Sequence, residues 1–215
     1  MNQAPQNPSQ SIDPPAKTEE QLPLLSTLHL DLEVVGGLPP ELRDPLLDLM
    51  RHWGAPAEQL ALAAALRAAH GPLLSLLDYE ANAYLLDNQP QAALDVIERR
   101  QRRSTTIASQ VIEAQALLAS GRDAHAQGVA DDISHAYPKH VGAVCGAAHI
   151  YAGLGRFDHA RLLLEGYLAH RPGDQLATLM LARLAYEAGD ADGADAYIQR
   201  LGAGIPTELG NDHLQ

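Results

Sequence analysis

Aromatic side chains are scarce in this chain: one Trp, one Phe and seven Tyr among 215 residues. A β-sandwich or barrel would fill its strands with aromatic and β-branched residues, so the shortage argues against a sheet protein. Lysine is nearly missing, with only Lys17 and Lys139, and 27 Asp and Glu outnumber 15 Lys and Arg for a formal charge of −12. A surface of that sign repels phosphates and anionic lipid headgroups, which makes nucleic acid and membrane surfaces poor partners. The lone cysteine, Cys145, can make no internal disulfide and suits a reducing compartment. Long apolar runs are missing too. The most hydrophobic stretch, Leu60 to Ala69, contains Arg67 and falls far short of the roughly 20 residues that cross a bilayer. The opening residues (MNQAPQNPSQSIDPPAK) have neither the basic start nor the apolar stretch of a secretory signal. The expected location is cytoplasmic, without membrane insertion.

What the chain does have is Ala and Leu, which dominate its 46% apolar content. Both lose little on entering a helix, so the composition predicts closely packed helices. Residues 1–27, rich in Pro, Gln, Asn and Ser, bury too little to order and are expected to form a disordered tail. Leu28 to Val35 (LHLDLEVV) alternates apolar and polar residues at the strand period. With no partner strand in view, residues 28–39 are expected to be an extended segment lying on the helices. Residues 206–215 read as a C-terminal tail.

From residue 40 to 205 helical periodicity is broken at a regular beat. Gly121, Gly155 and Gly189 recur at intervals of 34, as do Ala126, Ala160 and Ala194, then Pro138 and Pro172, then Ala114, Ala148 and Ala182. Glycine enters the left-handed region without strain and so ends a helix and turns the chain. Paired alanines let two helices approach closely, and proline stops the second helix. Asn88 stands 33 before Gly121 and tolerates the same turn, and Gly54 lies 34 before Asn88. About five helical hairpins are predicted, at 40–73, 74–106, 107–140, 141–174 and 175–205, the first of them degenerate.

The segment 144–172, VCGAAHIYAGLGRFDHARLLLEGYLAHRP, resembles the tetratricopeptide repeat, a 34-residue helix–turn–helix, with Ala148, Tyr151, Gly155, Ala160 and Pro172 at signature positions. Residues 178–198 match nearly as well and 110–138 less so. The early signature Trp is replaced by Gln110, Val144 and Thr178. The resemblance implies an all-α, right-handed solenoid whose first helices line a concave groove. By the same resemblance, groove residues would be the i, i+4 pairs Asp78 and Asn82, Val111 and Gln115, Cys145 and His149, and Leu179 and Arg183. Such a face suits an extended or helical peptide held in shallow pockets. The basic clamp that grips acidic chaperone tails is not expected, because Asp78 stands where a lysine is needed.

Chemistry-bearing clusters are few. Cys145 and His149 could form an activated thiol or half a metal site, but no third group stands at a fixed spacing, and a packed pair is the commoner case. Neither a metal nor a cofactor is expected. The run Glu98 to Arg103 is the only basic cluster, and arginines at a helix C-terminus are explained by the helix dipole. The Asp190, Asp192 and Asp195 turn reads as a helix cap, not a calcium loop. Together these features predict a protein-binding adaptor or scaffold, not an enzyme. A bacterial secretion-type chaperone is a sharper form of that expectation. A self-assembling scaffold that pairs copies through an uncapped C-terminal repeat is the alternative.

Overall fold

The computed structural model describes residues 31–203, and the expected tails 1–27 and 206–215 lie outside that range. Among the described residues the elements are eleven α-helices. They are α1 (Leu32–Gly36), α2 (Pro40–Trp53), α3 (Pro56–His70), α4 (Leu74–Leu86), α5 (Pro90–Gln101), α6 (Ile107–Ala119), α7 (Asp123–Ala136), α8 (Val141–Gly153), α9 (Phe157–His170), α10 (Gln175–Glu187) and α11 (Ala191–Ala203). None is long and apolar enough to cross a membrane.

The predicted beat is built from one turn used four times. Asn88, Gly121, Gly155 and Gly189 all take positive φ, between 56° and 80°. In each case the next residue donates its N–H to a carbonyl five residues back: Gln89 to Tyr84, Arg122 to Leu117, Arg156 to Tyr151 and Asp190 to Ala185, at 2.8–2.9 Å. This is the Schellman arrangement, which satisfies the last carbonyls of the first helix and launches the second at once. The first helices of the later hairpins start from side-chain caps instead. Thr106 accepts from the Ser109 N–H, His140 from Ala143 and Asp174 from Ala177.

Two layers result. Helices α4, α6, α8 and α10 pack on one another in sequence and form an inner layer. Helices α5, α7, α9 and α11 lie outside, each against its own inner helix, and the first three also touch the next. Ala114, Ala126, Ala148 and Ala160 are fully buried where these helices meet. Two glycines tighten the inner layer further. A Cβ on Gly146 would run into Val111, and one on Gly153 into Leu118, so α8 lies almost backbone-to-side-chain on α6.

The N-terminal unit departs from the expectation in two ways. The segment predicted to be extended contains the helix α1, with residues 28–30 outside the described range. Its Leu32, Val35 and Gly36 fall at i, i+3 and i+4, a helical face that an alternating pattern also permits over so short a stretch. Gly36 brings that face onto Ala65 and Ala69 of α3. Second, Gly54 does not repeat the turn: its φ is −79° and its ψ 142°, an extended step, and Pro56 holds Ala55 extended as well. Helices α2 and α3 consequently touch only slightly. The unit has its own small core of Val35, Leu47, Met50, Leu62, Leu66, Leu76 and Tyr79, apart from the main cluster that runs from Ala114 to Leu184.

Candidate partner-binding face

The inner helices present three sets of equivalent residues. The first is Asp78, Val111, Cys145 and Leu179; the second is Asn82, Gln115, His149 and Arg183; the third is Leu85, Leu118, Ala152 and Tyr186. The first two sets are legible in the sequence. The third escapes the sequence reading, although it keeps the same beat three positions further on. The packing of Gly146 on Val111 and of Gly153 on Leu118 shows that the first and third sets face the following inner helix.

Asp78 is taken up by structure. Its carboxylate receives the Arg100 Nε at 2.7 Å and Nη2 at 3.0 Å, a two-point ion pair, and Arg100 also bonds the Ser104 carbonyl. The pair ties the end of α5 to α4 and leaves Asp78 little to offer a partner. The other arginines of the run are engaged too. Arg102 bonds Glu98 at 2.6 Å, Arg103 the Pro72 carbonyl at 2.7 Å and Arg99 the Asp95 carbonyl at 3.3 Å.

Cys145 is buried, and that burial, with the charge of Asp174 added, pushes its thiol up to about 11. A thiol so placed carries almost no thiolate at neutral pH, which removes the basis for nucleophilic chemistry there. His149 is bonded to Arg183 across two inner helices, Nη2 to Nδ1 at 2.9 Å, and Arg183 Nε reaches Glu187 at 2.7 Å. The contact requires a neutral ring with its proton on Nε2. Burial lowers the His149 pKa, Arg183 lowers it further, and Glu187 opposes both. Among the described residues no three His, Cys, Asp or Glu side chains are grouped to hold a metal.

Asn82 and Gln115 differ from their neighbours. Both carboxamides are half-buried, and neither makes a hydrogen bond among the described residues. With His149 and Arg183 they form a polar row across four inner helices, while Leu86 and Leu179 stand exposed on the same helices.

Among the described residues the last hairpin is open at its end. Cys145 and Ala152 are each 6% exposed, whereas their equivalents Leu179 and Tyr186 are 54% and 76% exposed. On the outer helices Leu164 is 0% exposed and its equivalent Ile198 is 54%. In each earlier hairpin the next inner helix packs over these positions; among the described residues nothing covers them here.

Residues 151–208 match the tetratricopeptide repeat family. The matched segment runs from the end of α8 through α9, α10 and α11. Solved structures agree on the fold of the solenoid. A thermophilic tetratricopeptide protein of Thermus thermophilus superposes with a TM-score of 0.62 at 20% identity, covering 77% of this chain and 91% of that one. A tetratricopeptide repeat protein of Parabacteroides merdae gives 0.59 at 16% identity, covering 85% and 70%. No curated protein matches the chain in sequence. The chain shares the helical-hairpin solenoid fold of these structures.

Proposed function

We propose that the inner face of the solenoid binds a segment of a partner polypeptide. The observation that carries this is the pair of free carboxamides at Asn82 and Gln115. Each offers a donor and an acceptor to a peptide backbone, and burial strengthens such bonds once water is displaced. His149 and Arg183 continue the row, and the exposed Leu86 and Leu179 supply apolar contact beside it. Asp78 and Cys145 contribute to the wall of the groove more than to its chemistry. The role is one of binding, not catalysis, and the buried high-pKa thiol supports that. A free cysteine and an acidic surface suit the cytoplasm.

The test is a comparison of the proteins retained from the native host by the wild type and by an Asn82→Ala, Gln115→Ala variant. The variant is expected to melt with the wild type and to lose the specific partner. Retention of the same partner at the same level would sink the proposal. A secretion-type chaperone is one case of this role, recognisable if the partner is exported and held unfolded before export.

A second reading is favoured by the open end at Leu179, Tyr186 and Ile198. A second copy seated there would bury the surface that every internal hairpin buries, and would make the protein a self-assembling scaffold. Sedimentation across a concentration series tests it, with dimers expected at tens of micromolar, on the order of a weak self-affinity. A strict monomer, or a dimer unchanged by Tyr186→Glu, would rule it out.

A further inference from the structure

The outer layer carries a second, chemically different site. Between the α7–α8 connection and the outer helix α9 lies a cavity of about 540 Å³. Its floor and walls are Pro138, Leu162, Leu163 and Tyr167, and its rim carries Lys139 and Arg171. Leu162, on the solvent side of the outer helix, is 62% exposed. Lys139 and Arg171 form no ion pair among the described residues, in a chain of net charge −12.

The equivalent place two hairpins earlier shows that this is not a general property of the fold. There Pro72, Leu77, Arg99, Arg102 and Arg103 enclose a smaller hollow of about 300 Å³. Its cations are occupied internally: Arg102 by Glu98, Arg103 by the Pro72 carbonyl and Arg99 by the Asp95 carbonyl. At the later site the carboxylate that feels Arg171 is Asp174, and its two oxygens already serve the Ala177 N–H and the Tyr167 hydroxyl. Among the described residues, therefore, no carboxylate is seated on the positive rim.

We propose that this cavity docks a short acidic segment of a partner protein, with carboxylates on Lys139 and Arg171 and an aliphatic side chain on Leu162 and Leu163. Two complementary features select this occupant. The free cations call for anions, and the exposed leucine beside them calls for an apolar anchor close in sequence to those anions. A volume of this size accommodates one or two side chains, not a whole helix. The site is independent of the inner face.

Fluorescence anisotropy with a labelled synthetic dodecapeptide tests it, using a probe with two adjacent glutamates followed by two leucines. The full chain is expected to bind it saturably, and more weakly as salt rises. A Lys139→Glu, Arg171→Glu variant should bind about tenfold more weakly, as should the wild type toward a probe with glutamines in place of glutamates. Leu162→Ser should weaken binding as well, and Asn82→Ala, Gln115→Ala should leave it unchanged. All replaced residues on the outer face are exposed, so the variants should keep the wild-type melting temperature. No saturable binding, or equal binding by the charge-reversed variant, would overturn the proposal. So would binding seen only after removal of residues 1–27, which would make the chain's own Glu19–Glu20 segment the occupant.

Discussion

The hairpins α8–α9 and α10–α11 share a turn, a capping scheme and a pattern of alanines, yet they live in different environments. The first is enclosed on both sides and carries the largest part of the main core. Among the described residues the second is enclosed on one side, and its Leu179, Tyr186 and Ile198 are exposed where Cys145, Ala152 and Leu164 are not. Equivalent positions in a repeat thus owe their burial to the neighbour that follows. A repeat sequence encodes half of each interface, and its partner half is encoded one full repeat away.

The sharpest break of that comparison is chemical. Leu179→Cys should react with a thiol reagent at neutral pH like an ordinary free cysteine, while Cys145 stays unlabelled until the protein unfolds. The expected rate ratio is on the order of a hundredfold or more, from burial and the raised pKa together. Next in size is the core. Leu164→Ala should cost about 3 kcal/mol in urea unfolding and Ile198→Ala less than about 0.5 kcal/mol. Equal costs would mean that the end face is covered in solution. Third, Gly146→Leu should cost roughly 1–3 kcal/mol, because the added side chain meets Val111. The equivalent residue in the last hairpin is Met180, already large. Fourth, Gly155→Ala and Gly189→Ala should each lose about 1 kcal/mol to the left-handed backbone, and a difference between them would show that the turns are not alike.

The smallest effect is on pH dependence. His149 has a lowered pKa in the folded state, so the unfolded chain binds the extra proton first. Stability from this group is present above the unfolded value of about 6.5 and declines as pH falls through it toward the lower folded value. His149→Gln should flatten that part of a stability–pH profile. A profile identical to the wild type between about pH 5 and 7 would show that the Arg183 contact does not control the titration.

The glycine and alanine series place three of the four regular hairpins and Asn88 the fourth, since each residue type answers one backbone need: a left-handed step or a close approach. Gly54 shows where that logic stops. It keeps the spacing, but Pro56 fixes the step before the next helix and the chain leaves α2 extended. Gly146 and Gly153 are unreadable as contacts, because nothing local distinguishes a glycine that receives Val111 or Leu118 from one that merely weakens a helix. On the candidate face the i, i+4 pairs do fall on the inner helices. That Arg100 holds Asp78 depends on where α5 ends, and so on the three-dimensional course of the chain and not on its pattern. The alternation around residues 32–36 misleads for want of length, as so short a stretch fits a strand and a helix equally well.

The recurring left-handed step has a consequence for how such a chain changes over time. Asn88, Gly121, Gly155 and Gly189 each turn the backbone in the same way, so cutting at one and rejoining at another preserves the backbone path of the hairpin. A molecule built this way can grow or shrink by whole hairpins, and its reach can be altered by copying a stretch of sequence, provided the side chains at each new junction fit.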